Sequence, residues 1–327
     1  MKQSVKARAL LGNLAEADLR LLRIFVAIAE SGGLAAAELR LNIGRSVISR
    51  HLKDLETRLG VRLCERGRAG FALTDEGATV LDATRRLLAQ VEGFRREVAG
   101  LHSGMRGDFH LAVFDKFATN PGCRLADCIG TFADDAPAVR FDLHVCGMSE
   151  IEKGLLEGRF QIGIHPFHRA SESLVMVPLF TEQMSVYAAP RHPLLATGDL
   201  PDDDEMRGAD FVGLGYHSPN MEHFWRIGLE PAARAHDQEA TVMLLLSGRY
   251  LGFLPDHYAA SFVAAGQLQR LPSRTLQYQC DWCASVARTP APGRIARHFL
   301  SRLREAHADV APDEVLVRSQ GVQESAT

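Results

Sequence analysis

The run Leu34-Ala35-Ala36-Ala37-Glu38-Leu39-Arg40-Leu41, then Asn42-Ile43-Gly44, then Arg45-Ser46-Val47-Ile48-Ser49-Arg50-His51-Leu52-Lys53-Asp54-Leu55-Glu56-Thr57-Arg58-Leu59 decides how the chain begins to fold. Its first part fits a short helix in which Ala36 and Ala37 are small enough for a close neighbour. Asn42-Ile43-Gly44 makes a tight turn. A second helix starts near Arg45 or Ser46 and buries Val47 or Ile48, then Leu52, Leu55 and Leu59, at spacings of three and four. Two short helices across a glycine-containing turn form a helix-turn-helix pattern. Upstream, Asp18 caps a helix carrying Leu19, Leu22, Val26 and Ala29, and Ser31-Gly32-Gly33 breaks it. Downstream, Gly60 stops the helix, and two extended stretches, Val61–Cys64 and Gly70–Leu73, flank Glu65–Ala69 as a small wing with a basic tip.

Thr74 caps the next segment, a helix of nearly thirty residues. Val80, Thr84, Leu87, Val91, Phe94, Val98 and Leu101 recur along it at alternating spacings of four and three, a heptad seam that favours pairing with a second copy over packing on its own domain. Ser103–Gly107 reads as a hinge. From Phe109 onward short apolar strands alternate with helices, the pattern of an α/β protein. Strands are expected at Phe109–Phe114, Val139–Val145, Phe160–Ile164, Leu174–Phe180, Met184–Ala189, Asp210–Leu214, Ala232–His236, Leu251–Leu254 and Gln279–Ala287, in two groups that suggest two lobes. The division is then an extension over 1–17, a winged unit over 18–77, a linker helix over 78–103, a two-lobed α/β domain over 108–307 and a mobile tail over 308–327.

Charge divides along the same lines. The chain of 327 residues has a formal charge of −3, yet residues 1–105 carry 17 Lys/Arg against 12 Asp/Glu while the rest carries 20 against 28. A basic module on an acidic body suggests that one part faces a polyanion. No run approaches the roughly 18 apolar residues of a spanning helix, and Ala9-Leu10-Leu11 is too short for a secretory core, so a cytoplasmic protein without membrane partners is expected. Its six cysteines are then reduced thiols.

The stretch from Asp18 to Gly77 resembles the winged helix-turn-helix of LysR-type transcriptional regulators. The resemblance is carried by Asp18 to Gly32, Ala36-Ala37, Leu41, Ser46 to Glu56, Leu59-Gly60-Val61-Arg62-Leu63, Glu65-Arg66 and Leu73-Thr74-Asp75-Glu76-Gly77. Beyond these sixty residues it is one of architecture, to about residue 305. It implies a sequence-specific regulator bound to double-stranded DNA, a homodimer that doubles into a tetramer, contact with RNA polymerase, and a small-molecule effector between the two lobes.

The residues themselves support the DNA reading. A helix in the major groove offers its first turns to base edges and its flanks to phosphates. The outward positions are Arg45, Ser46, Ser49, Arg50 and Lys53. Arg45 suits guanine O6 and N7, Ser46 and Ser49 reach bases or phosphates, and Arg50 and Lys53 suit phosphate. Arg66 and Arg68, at the wing tip, suit a neighbouring minor groove. The family usually has Gln at Arg45, Ser or Thr at Gly33 and Ala35, and Ser at Gly44. Arg45 therefore shifts preference from adenine to guanine, and the missing hydroxyls remove phosphate contacts and a helix cap.

For the effector, loops after four strands are expected to converge: Thr119 and Asn120, Ser149, His165, Phe167, His168 and Arg169, and Tyr216 and His217. Their amides, hydroxyls, imidazoles and Arg169 favour an anion, with Phe167 and Tyr216 as apolar faces. His165, His168 and His217 lack a Cys or carboxylate at ligand spacing, so neither metal nor cofactor is assigned. Cys280 and Cys283 fall on opposite faces of a strand, and Cys123 and Cys128 are poorly spaced on a helix, which leaves thiol-based redox sensing as the weaker alternative. A ligand-free architectural DNA-binding protein is another. No phosphate loop, HExxH or GxSxG occurs to anchor an enzyme.

Overall fold

The computed structural model describes residues 14–67, 70–100, 105–116, 118–167, 169, 171–196 and 198–308. The expected tail, the hinge at Ser103-Gly104, the seam residue Leu101, and Arg68 and His168 lie outside them, as does the side chain of Arg66. The chain divides into two compact units, 1–95 and 96–327.

In the first unit, α1 (Glu16–Glu30), α2 (Leu34–Leu41) and α3 (Arg45–Leu59) precede a two-stranded antiparallel wing, β1 (Cys64–Gly67) and β2 (Gly70–Leu73), and the long helix α4 (Asp75–Gly100). Phe25 and Ile28 of α1, Ala37 of α2, Ile48, Leu52 and Leu55 of α3, and Leu63 and Cys64 form one apolar core. Ile48 takes the inward place at the start of α3, and Val47 is exposed. Asp18 is the third residue of α1 rather than its cap. One oxygen accepts the Ala15 N–H at 2.9 Å, and the buried carboxylate is bridged by Arg58 of α3, with Nε 2.5 Å and a terminal nitrogen 2.9 Å away. That bidentate bridge joins α1 to the far end of α3.

The wing is tied to both neighbouring helices. Glu56 of α3 accepts the Leu63 N–H at 2.9 Å. Thr74 donates its hydroxyl proton to the Arg62 carbonyl at 2.7 Å and accepts the Gly77 N–H at 2.9 Å, capping α4. Gly77 lies so close to the wing that a Cβ there would stand 2.0 Å from the Leu63 carbonyl oxygen.

The second unit is built on one mixed sheet. Its strands are β3 (Arg106–Val113), β4 (Ala138–Val145), β5 (Ile162–Pro166), β6 (Leu174–Ala188), β7 (Phe211–Leu214), β8 (Ala233–Ala235), β9 (Leu251–Pro255), β10 (Gln269–Leu271) and β11 (Gln277–Ala287). The order is β4-β3-β5-β11-β6-β9-β7-β8, with β10 also on β6. Helices α5 (Leu125–Asp135), α6 (Met148–Leu156), α7 (Asp203–Arg207), α8 (Pro219–Ile227), α9 (Gln238–Leu246), α10 (Asp256–Ala264) and α11 (Arg294–Ala306) alternate with them. Parallel groups β4-β3-β5 and β9-β7-β8 form the two lobes. Antiparallel β6 and β11 run through both. The two strands expected at Leu174–Phe180 and Met184–Ala189 are one strand, because β11 pairs with it from Leu174 to Ser185, across the expected break. The register slips once, where Trp282 faces Phe180 and Cys283 faces Pro178.

Gly77→Ala is expected to destabilise the first unit by about 2 kcal/mol or more, because backbone on both sides must move. Urea unfolding of the full chain, followed by hydrogen exchange in α3 and the wing, checks this.

Candidate functional sites: a recognition helix and an inter-lobe cavity

Helix α3 presents its polar face to solvent. Arg45, Ser46, Arg50 and Lys53 are exposed and Ser49 is half-buried, while Ile48, Leu52 and Leu55 turn inward. The amphipathic period therefore separates a packed stripe from a cationic, hydroxyl-bearing one. The helix begins after Gly44, which has no side chain to cap it. The expected loss of that cap is offset from α2, because Glu38 accepts the Arg45 N–H at 3.2 Å. Along α4, Leu81 and Thr84 are buried, whereas the seam residues Phe94 and Val98 are 67% and 42% exposed. Phe94 and Val98 are thus left uncovered.

In the second unit a cavity, partly open to solvent, lies between the lobes. Trp282, Cys280 and Tyr278 of β11 alternate along one wall, facing Glu182 and Met184 of β6. Phe114, Asp115 and Lys116 enter after β3, Leu214 at the end of β7 with Tyr216 and Ser218 to Asn220 after it, and Gln238 at the start of α9.

Glu182 is buried and its Oε2 accepts from Asn120 Nδ2 at 2.9 Å and His257 Nε2 at 3.0 Å. Asp115 Oδ2 accepts the Gln238 N–H at 3.0 Å, and burial pushes its carboxyl above the ordinary range. Lys116 donates to Glu239 at 2.7 Å and lies 4.8 Å above the Tyr258 ring. Asn220 donates to the Tyr278 hydroxyl at 3.3 Å and accepts the Leu214 N–H at 3.0 Å. Burial raises the Tyr216 and Tyr278 hydroxyls and the Cys280 thiol, so all three stay protonated.

The expected effector residues distribute unevenly around this cavity. Tyr216 lines it. Asn120 stands behind Glu182, and exposed Thr119 lies one step further out, its hydroxyl 2.9 Å from His257 Nδ1. Ser149 is exposed on the first turn of α6, beside the lining residue Met148. His165 departs from expectation because β5 continues to Pro166. Pro166 lines the cavity, so period-two geometry turns His165 to the opposite face. There it is fully buried, donating from Nδ1 to the Pro166 carbonyl at 2.9 Å, with Nε2 2.8 Å from the Ser285 hydroxyl. Phe167 donates its N–H to the Asp281 carbonyl at 2.7 Å, Arg169 pairs with Glu152 at 2.9 Å, and His217 sits 3.4 Å from Glu222 on the surface. None of these three lines the cavity. The anion expectation rested on the loops' amides, hydroxyls and imidazoles and on Arg169; the wall carries Asp115, Glu182 and Lys116.

Sequence reading did not single out Asp115, Glu182, Gln238, Tyr278 or Trp282. One signal was available: Glu182 interrupts two apolar stretches that form one strand. A separate cluster, His110, Asp142 and His144, also went unexpected. Their ligand atoms lie within 4.8 Å of one another on β3 and β4, and Asp142 Oδ2 serves both rings.

Two family models cover both units: "Bacterial regulatory helix-turn-helix protein, lysR family" over residues 19–78, and "LysR substrate binding domain" over 102–308. The chain belongs to the LysR family. It is a DNA-binding transcription regulator with an effector-binding domain. The HTH-type transcriptional activator BauR of Pseudomonas aeruginosa is 39% identical over 292 residues, 89% of this chain and 95% of that protein. Among solved structures, CbnR, a LysR family transcriptional regulator, aligns with a TM-score of 0.64 at 21% identity, over 88% of this chain and 99% of that one. Full-length CbnR complexed with its target DNA aligns at 0.62 and 22%, with the same coverage. These two share the fold. Regulators of this family bind DNA and small effectors and act as oligomers. Among the described residues no helix is long and apolar enough to cross a membrane.

Behind the Tyr278 wall, His223 is buried at 4.5 Å from that ring, and its Nδ1 accepts from Arg226 at 2.7 Å. Burial, with Arg226 and Arg207 nearby, pushes it down to about 4. It stays neutral in the fold where the unfolded chain already takes up a proton. Stability is therefore lost as pH falls from about 6.5 towards 4, by on the order of 2 kcal/mol. His223→Gln should flatten that part of the profile, read as the difference between wild-type and variant unfolding free energies at pH 7 and pH 4.5.

Proposed function

We propose that this regulator reads its operator through α3, with Arg45, Ser46 and Ser49 toward base edges and Arg50 and Lys53 toward phosphates. Arg66 and Arg68 of the wing lie toward the minor groove. The observation that carries this is the division of α3: Ile48, Leu52 and Leu55 are packed inside, and Arg45, Ser46, Arg50 and Lys53 stand in solvent. Residues 18–77 form the DNA-reading module, 78–103 the pairing helix, and 108–307 the sensing domain. The uncovered Phe94 and Val98 support α4 as the seam between two copies. A two-fold pair of α3 helices then requires an inverted-repeat site, and a tetramer joins two such pairs.

The effector occupies the inter-lobe cavity, with Tyr216 in the wall and Asn120, Thr119 and Ser149 as supports. A ligand preferring one lobe geometry changes operator affinity, and operator binding changes ligand affinity by the same factor. The protein works in the cytoplasm, binds its metabolite without turning it over, and acts on transcription through contact with RNA polymerase. The relative BauR is an activator, which favours activation here.

Thiol redox sensing finds less support. Burial raises Cys123 to about 11, Cys283 to about 12 and Cys128 above its ordinary value, which keeps them unreactive.

Arg45→Ala should cost roughly 1–3 kcal/mol of discrimination at one operator position while non-specific binding persists. Lys53→Ala should weaken all sequences alike and lower the salt slope by about one. Fluorescence anisotropy across a salt series with operator and scrambled duplexes checks both. An unchanged operator preference in Arg45→Ala would remove α3 as the reading helix.

A further inference from the structure

We propose that the effector is a small organic amine, its ammonium group received by Asp115 and Glu182 among the rings of Phe114, Tyr216, Tyr278 and Trp282. The assignment rests on the cavity being the effector site, as proposed above, and adds the chemical class.

Charge gives the first reason. Two carboxylates line the cavity, and the basic residue in its wall, Lys116, already has Glu239 at 2.7 Å. A carboxylate ligand would enter beside two groups of its own sign.

Hydrogen bonding gives the second. Asp115 Oδ1 is buried without a hydrogen-bond partner, although Oδ2 holds the Gln238 N–H. Gln238 is 7% exposed and lines the cavity, and its side-chain oxygen is buried and unpartnered. Both atoms are acceptors. A buried acceptor left unpaired is costly, and an ammonium group supplies up to three donors and accepts nothing. Glu182 is held by two donors on one oxygen, which fixes its carboxylate at the wall.

The rings give the third. Phe114 lies 6.2 Å from Tyr216 and 6.1 Å from Trp282, centroid to centroid, and Tyr278 completes the wall. Ring faces attract a cation, and desolvation strengthens the attraction. Carboxylates set among aromatic faces suit an alkylammonium group, whereas a bare metal ion would want a cage of oxygen ligands.

The test uses the full-length protein. Primary amines, diamines and amino acids of about three to six carbons are titrated by calorimetry, each beside its deaminated counterpart. Thermal unfolding is followed in parallel. At least one amine should bind and raise the unfolding midpoint, with its deaminated counterpart weaker by about tenfold or more. Asp115→Asn keeps an acceptor for the Gln238 N–H and removes the charge; it should weaken that amine by about tenfold. Glu182→Gln provides the same reading should Asp115→Asn fail to fold. Binding confined to deaminated carboxylates would overturn the amine assignment and leave the cavity as the effector site. Binding by neither set would overturn both. An amine that binds Asp115→Asn and Glu182→Gln as tightly as wild type would overturn the placement of its ammonium group.

Discussion

The antiparallel pairing of β6 with β11 is the constraint on which the sensing unit depends. It runs from Gln277 opposite Ser185 to Ala287 opposite Leu174, and so passes through both lobes. One end lies beside β5 and the other beside β9. Two parallel groups that would otherwise be separate α/β units thereby share a continuous floor. Side chains alternate across that floor, so Tyr278, Cys280 and Trp282 face the cavity while Cys283 joins His165 and Ser285 on the other side. Any ligand seated there touches the element common to both lobes, which is the physical basis for coupling its binding to their relative geometry.

The DNA-reading unit has a different constraint. It is small, and its core is one apolar cluster from α1, α2 and α3, Leu81 of α4 and the base of the wing. Helix α3 is held at both ends by charge: Glu38 at its first N–H and Asp18 on Arg58 near its last turn. Thr74, Gly77 and Leu63 fix the wing against the start of α4. Groove recognition needs side chains placed to within a fraction of an ångström, and these ties position α3 and the wing relative to one another.

In the cavity, burial keeps Tyr216, Tyr278 and Cys280 protonated and raises the Asp115 carboxyl above its ordinary range. Lys116 and Glu239 neutralise each other, and His257 and Asn120 spend their donors on Glu182. Two buried acceptor atoms there, Asp115 Oδ1 and Gln238 Oε1, are left without a hydrogen-bond partner.

The winged helix-turn-helix was legible residue by residue, because its helices are short and amphipathic and are bounded by glycine or asparagine turns. Helix limits at Leu34–Leu41 and Arg45–Leu59 agree with the apolar spacing. Most strands of the second unit were legible for the same local reason. The site in that unit was not. His165 looked like a loop residue until β5 proved two residues longer, and Arg169 was already paired with Glu152. Asp115, Glu182 and Gln238 come from segments far apart in the chain. Local pattern determined by itself that the chain has a basic reading head on an acidic α/β body, since period and turn chemistry act between neighbours. Only the tertiary structure decided which polar atoms are buried together without partners, because that depends on which strands lie side by side and how completely they exclude water.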